Sequence, residues 1–334
     1  MSERIERLTQ WLQQHFELET IHLIPIVNDA SFRRYFRIEV AETTYIVADV
    51  PAHHGEDCQP FIDVLTRLRH VQLNAPEVIA LEQEQGFLIL TDLGNQLYLK
   101  ALQDKTQADS LYGDAIQALI VMQSQIDPTG LPLYDHQLLL NEMHLFTHWL
   151  LERHLNVPVH PAAQEDLDRC FNLLIESALS QPQVFVHRDY HSRNLMVMST
   201  QNPGILDFQD AVKGAITYDL VSLLRDCYIN WQPEQIATWL HQYYQYATAA
   251  SLLENVTETQ LIRWFDWMGI QRHLKASGIF ARLYRRDNKD GYLKDIPRTL
   301  NYIVEVTAKY PELDTLHQVV SKHVIPVFMQ KMVN

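Results

Sequence analysis

Val184–Val197 reads VFVHRDYHSRNLMV. Two short apolar runs, of the β-branched and aromatic composition that favours buried strands, enclose eight mostly charged or polar residues from His187 to Asn194. Such groups are costly to bury unless they are paired or hydrogen-bonded. The segment reads as a strand, a loop and a returning strand of one hairpin. Asn194 lies five positions after Asp189, enough for the chain to loop out and come back, so that the two side chains can face different partners.

Outward from this loop the two halves of the chain differ. Before it, IHLIPIV, SFRRYFRIEV and TTYIVADV are short, β-branched or aromatic runs separated by the turn signals NDA and AET, which predicts an antiparallel meander. An amphipathic opening helix precedes them. A helix over Gln59–His70 follows, and EVIALE and GFLILTDL complete a small sheet of about five strands. Beyond Gly94 the apolar period becomes 3.6 residues in Ala108–Gln125, Leu138–Leu155 and Ala162–Leu179, the mark of core-facing helices. Strand character returns only over Val184–Phe208, and helices resume from Tyr218. The expected division is a small lobe over 1–93 and a larger, mostly helical lobe over 94–334, with the turn Asp92-Leu93-Gly94-Asn95 between them.

Composition narrows the partners. The 334 residues carry 27 Lys and Arg against 41 Asp and Glu, a net charge of −14. That balance argues against nucleic acid or an anionic membrane surface and leaves small molecules. Cys58, Cys170 and Cys227 are widely spaced and odd in number, which suggests neither a disulfide framework nor a thiolate metal site and suits a reducing cytoplasm. No run approaches the roughly 18 apolar residues of a membrane helix.

His187, Asp189 and Asn194 fit the pattern H-x-D-x-x-x-x-N, in which the Asp accepts the proton of an acceptor hydroxyl and the Asn binds Mg²⁺. Thirteen residues further on, the short apolar run GILDFQD delivers Asp207. A carboxylate and an amide oxygen, with phosphate oxygens and water, satisfy the hard, near-octahedral shell of Mg²⁺. Asp210 is either a substrate contact or a turn residue.

With these motifs the chain resembles the kinase-like aminoglycoside phosphotransferase superfamily over most of its length. The resemblance implies a two-lobed, protein-kinase-like α+β fold, ATP and Mg²⁺ as cofactors, and an alcohol acceptor. No glycine follows Asp207-Phe208 and there is no activation segment, because GAITYDLVSLLRD starts a helix at once; a typical protein kinase is excluded. Asp219, in Tyr218-Asp219-Leu220, is expected to cap that helix. The strings DASFRRYFR, VADVPA, HRDYHSRNLMV, ILDFQDA and WFDWMGIQRHLKASGIFARLYRRD look like the anomeric N-acetylmuramate/N-acetylglucosamine kinases of bacterial cell-wall recycling. That similarity implies phosphorylation of a sugar C1 hydroxyl by a cytoplasmic monomer or weak homo-oligomer.

The pattern fails at one place. Kinases carry a third-strand Lys that pairs with ATP phosphates, whereas here Asp49 stands about there and no Lys precedes Lys100. The expected substitutes are the backbone of the turn ending in Ser31 and Phe32, with Arg33 or Arg37 as phosphate clamps. Strand alternation puts Arg34 on the opposite face, as a surface or packing residue. Leu90, Thr91, Asp92 and Leu93 form the expected adenine connector. For the acceptor, the candidates are His191, Asp210, Trp149, Arg272 and Arg282. Residues 272–298 hold eight Lys or Arg against three Asp, an island suited to an anionic ligand. Other acceptors (an aminoglycoside, an amino alcohol, homoserine) and an inactive nucleotide-binding regulator remain open alternatives.

Overall fold

Arg34–Val40 (β2) and Thr43–Asp49 (β3) pair antiparallel with Arg34 opposite Asp49 and Val40 opposite Thr43. This register fixes which side chains share a face, since successive residues alternate. In the computed structural model, which describes residues 3–26, 33–50, 58–158 and 161–333, these strands belong to a five-stranded sheet. The order is β1-β2-β3-β5-β4, with β1 Ile24–Ile26, β4 Val78–Glu82 and β5 Phe87–Thr91. All its pairings are antiparallel. Glu3–Phe16 (α1) lays Leu8 and Leu12 on one face, against Phe36, Ile38, Val47, Phe87 and Ile89. The helix Gln59–His70 (α2) buries Phe61, Val64, Leu65 and Leu68. A small apolar cavity lined by Arg33, Tyr35, Ala48, Val50, Phe61 and Leu88 marks the other face of the sheet. Phe87 to Leu90 are all buried, without alternation, as expected of a strand covered on both sides.

Two compact units are resolved. One comprises Met1–Gln96 with Met196–Asp210, the other Leu97–Leu195 with Ala211–Asn334. The short segment carrying Asp207 thus packs with the sheet, where Phe208 meets Phe61 at a ring separation of 4.9 Å.

The second unit is organised around the 30-residue helix Glu258–Asp287. Thr257 caps its start by accepting from Gln260 N, and Asn288 ends it in the left-handed conformation, φ 54°. Its middle is buried almost all round, from Trp264 to Gly278. Trp264, Phe265 and Trp267 are core residues there. Gly278 permits close backbone approach to Leu145 and Phe146, where the helix His136–Leu145 passes into a π-helical continuation, Phe146–Leu155. Among the described residues no helix is long and apolar enough to cross a membrane.

The hairpin expected around the polar loop is not formed as read. Gln183–Val186 (β6) pairs instead with Val212–Ala215, Val184 opposite Gly214 and Val186 opposite Val212. At Gly214 a Cβ would lie 3.0 Å from that of Tyr134, so the close neighbour on this ribbon needs the glycine. The strand partner lies beyond the loop and its return, a long-range choice that a local apolar pattern does not carry.

Candidate active site

In the loop after β6 several buried polar groups find partners far along the chain, while the buried Arg188 Nε and His191 Nδ1 make no hydrogen bond among the described residues. Arg188 has φ 77°, the left-handed region that non-glycine residues rarely adopt. Asp219 holds it there, its two carboxylate oxygens accepting from the backbone N–H groups of His187 (2.6 Å) and Arg188 (2.9 Å). Asp219 therefore does not cap its own helix, Thr217–Leu224, whose start has no side-chain cap. Being in the first turn and fully buried, it points at the loop, the place with unsatisfied donors. Burial pushes its carboxyl up to about 7, against the opposing effect of those two N–H bonds and of Arg272. Asp226 takes Ser192 N (3.0 Å) and the Ser192 hydroxyl. Tyr190 donates its hydroxyl to Ala115 O at 2.9 Å.

The Arg188 side chain goes to Glu142 (2.6 Å). Glu142 is buried, and it also receives Lys275 Nζ (2.9 Å), Gln271 Nε2 (3.3 Å) and the Tyr134 hydroxyl. Burial alone would raise Glu142; Lys275 and Arg188 outweigh it and hold the carboxyl below its ordinary value. Four donors satisfy this buried charge, which is the condition for tolerating one.

Asp189 is surrounded by the same cations but accepts no hydrogen bond on its carboxylate from any described residue. His191 Nε2 and Arg272 both stand 4.0 Å from Oδ1, beyond hydrogen-bond length. Burial acts to raise its pKa; Lys275, His191, Arg272 and Arg188 prevail and hold it at about 2. The result is a permanently ionised carboxylate, 42% exposed as a side chain, with lone pairs available to a hydroxyl. Asn194 donates Nδ2 to the carbonyl of Asp189 at 3.0 Å, and its amide oxygen is of the donor type that suits a hard cation.

In the sheet unit, Asp207 has φ 62°. Gln209 Nε2 donates to Asp207 Oδ1 at 3.0 Å and reaches Asp210 Oδ2 at 3.5 Å. Asp210 is thus a neighbour in the same turn as Asp207. The carboxylate oxygens of Asp207 are, like the amide oxygen of Asn194, of the donor type that suits Mg²⁺. Ser31 and Phe32 lie outside the described residues.

Asp49, at the position of the missing lysine, is fully buried and faces α1. It accepts from Arg4 Nε at 2.6 Å and Arg34 Nε at 2.9 Å. Arg34 is therefore the partner of a buried carboxylate, more than the surface or packing residue expected. Arg33 and Arg37 differ. Arg33 lines the cavity beside Ala48 and Val50, whereas Arg37 grips Asp92 with Nε (2.6 Å) and Nη2 (3.0 Å) and donates to Gly94 O (2.7 Å). The connector is further tied by Thr91 N to Glu77 O (2.9 Å). Leu90 lies in β5, and Leu93 touches the site where a Cβ on Gly204 would stand.

The acceptor candidates separate likewise. His191 and Arg272 flank Asp189. Arg282 is ten residues further along the long helix, about 15 Å away along its axis, where burial and Arg286 lower its pKa. Trp149 sits in the π-helical segment with its ring edge-on to His148 at 5.3 Å. Sequence reasoning missed Glu142 and Asp226, and placed Lys275 only within the cationic island of residues 272–298. Glu142 lies close to Asn141 and His144, so no local pattern sets it apart.

Known proteins bear the same architecture. A family model described as the phosphotransferase enzyme family matches residues 22–253. The N-acetylmuramate/N-acetylglucosamine kinase of Pseudomonas putida is 41% identical over 329 residues, 96% of each chain. That of Neisseria meningitidis serogroup B is 38% identical over 314 residues, 93% of each. An ADP-bound aminoglycoside phosphotransferase superposes with a TM-score of 0.60 at 16% identity, covering 90% of this chain and 98% of its own. Choline kinase from Streptococcus pneumoniae gives 0.62 at 12%, covering 90% and 99%. The catalytic-loop geometry, the sheet order and these matches converge: the chain belongs to the phosphotransferase enzyme family and has an aminoglycoside phosphotransferase-like kinase fold.

Proposed function

We propose that this protein transfers the γ-phosphoryl group of ATP to the anomeric hydroxyl of N-acetylmuramate and/or N-acetylglucosamine, in the recycling of cell-wall sugars. The observation that carries the reaction type is Asp189, an ionised carboxylate flanked by Arg272 and the His191 ring at 4.0 Å, with no hydrogen bond on its carboxylate from a described residue. The relatives' names support the acceptor. Asp189 orients the C1 hydroxyl in line with the γ-phosphorus. As the new O–P bond forms and the bond to ADP breaks, the hydroxyl proton passes to Asp189. A group held at about 2 is a weak base, which matches a loose transition state that requires late proton transfer only. Asn194 and Asp207 are the residues assigned to Mg²⁺, which when bound neutralises phosphate charge. The main chain around Leu90 to Leu93 is assigned to adenine. The three cysteines are buried and none is in a disulfide, as suits a reducing cytoplasm.

The test is ATP consumption with a panel of acceptors. Turnover is expected with the two amino sugars and not with aminoglycosides, choline or homoserine. Preference for any of the latter overturns the assignment.

Arg33 is the phosphate clamp in this reading, not Arg37. Arg37 holds the connector through Asp92, while Arg33, four residues earlier, lines the cavity beside Ala48 and Val50. Arg33→Ala is expected to raise KM for ATP by about 10-fold or more while adenosine affinity stays near the parent's. Arg37→Ala should release the connector and weaken ATP and adenosine alike. Titration of both variants with both ligands distinguishes these patterns. Equal losses from Arg33→Ala would remove it from the phosphates.

A further inference from the structure

Four residues after Asp189 in the same loop, Arg193 is set against two tyrosine faces. Its guanidinium carbon is 4.6 Å from the centroid of Tyr228 and 5.6 Å from that of Tyr292. The rings lead back to the reacting carboxylate. Tyr228 takes His191 edge-on at 5.4 Å, and His191 Nε2 is 4.0 Å from Asp189 Oδ1. Tyr292 stacks on Phe280 at 5.5 Å, with Tyr228 at 6.3 Å from the same ring. Arg193, Tyr228 and Tyr292 are each half-buried, so a ligand can reach them. Arg272, by contrast, is buried and donates to the Ser222 hydroxyl. Arg193 also hydrogen-bonds the Tyr228 hydroxyl, and its charge, with that of Arg298 at 3.2 Å, acts on the neighbouring Asp295.

We infer that Arg193, braced by Tyr228 and Tyr292, binds the lactyl carboxylate that distinguishes N-acetylmuramate from N-acetylglucosamine, with the tyrosines lining the sugar subsite. The inference rests on the amino-sugar kinase reading above. A guanidinium has five N–H donors in a fixed plane, which matches a carboxylate edge-on while its faces lie on aromatic rings. Stacking also removes rotamer freedom before the ligand arrives, so less is lost on binding. Its place in the catalytic loop couples the two functions: the group that reads the acid is carried by the same segment that presents Asp189.

The experiment is kcat/KM for N-acetylmuramate and for N-acetylglucosamine in the parent, Arg193→Gln, Arg193→Lys and Tyr292→Leu, with circular dichroism on each. The ratio of acid to neutral sugar is expected to fall about 10- to 100-fold in Arg193→Gln, mainly through KM for the acid. Lysine should recover part of the ratio, because it keeps the charge without the planar fork. Tyr292→Leu, outside the loop, should lower the ratio by a smaller factor. If both sugars lose equally and the ratio stands in all three variants, Arg193 is a structural loop residue and the inference is overturned. A parent that phosphorylates neither sugar overturns the kinase reading itself, and the inference with it.

Discussion

Asp189→Asn is expected to lower kcat by about 10²- to 10⁴-fold while KM for ATP stays within a small factor of the parent's. The amide keeps the shape and can still meet the acceptor hydroxyl, but it cannot take the proton and no longer balances the charge of Arg272 and Lys275. Steady-state kinetics at saturating acceptor decide it; turnover within a few-fold of the parent removes Asp189 from the proton path. The same cations set a pH signature. Because the folded pKa is depressed to about 2 from 3.8, the stability from this cluster is fully present above 3.8 and lost as pH falls toward 2. A loss of activity with a midpoint above about pH 4 therefore belongs to another group. Asp219, pushed up to about 7 beneath the loop, is the first to test.

Gly278→Ala is the second large effect. A Cβ there would fall against the carbonyl group of Leu145 and 2.6 Å from Phe146 N. These are backbone atoms and no rotamer can move them, so the long helix and its partner must separate. Overpacking commonly costs about 1–3 kcal/mol, and rigid backbone puts this site at or above the upper end. A fall in Tm of about 6–12 °C follows for a unit of this size. Turnover should fall as well, since Lys275 lies one turn before the glycine. Gly269→Ala is the control: the nearest atom to its Cβ is the side-chain Nη1 of Arg225 at 3.1 Å, which can shift. Thermal melts showing equal loss for both variants would refute the steric account.

What could be read beforehand followed the range of the interactions involved. The helix Gln59–His70 and the strands around Phe36, Val47 and Ile89 announced themselves because apolar periodicity is local. Asp189, Asn194 and Asp207 stood out for the same reason, as polar residues at fixed spacing beside short apolar runs. The partner of β6 did not, since Val212–Ala215 lies across an intervening excursion of the chain. Nor did the role of Asp219, whose carboxylate serves residues 31 and 32 positions earlier. Glu142 and Lys275 are 133 positions apart, and their pairing becomes visible only when two helices meet. Arg33 and Arg37 looked equivalent by alternation. Their difference arises from Asp92, 55 positions beyond Arg37.

Asp49 faces α1, two residues on from Val47 and on the same side of the sheet, while Ala48 and Val50 line the cavity side. Its carboxylate ties the opening helix to the sheet through Arg4 and Arg34. Grafting the usual kinase residue by Asp49→Lys should therefore supply nothing to ATP. It would bury a third cation beside two others and destabilise the sheet unit by about 3–5 kcal/mol, which a denaturation curve would register as a lower midpoint. In the reading proposed above, the phosphate-binding charge comes instead from Arg33, just before β2. A genome-scale filter that reads an absent third-strand lysine as a dead kinase would discard the chain over a side chain on the wrong side of its sheet.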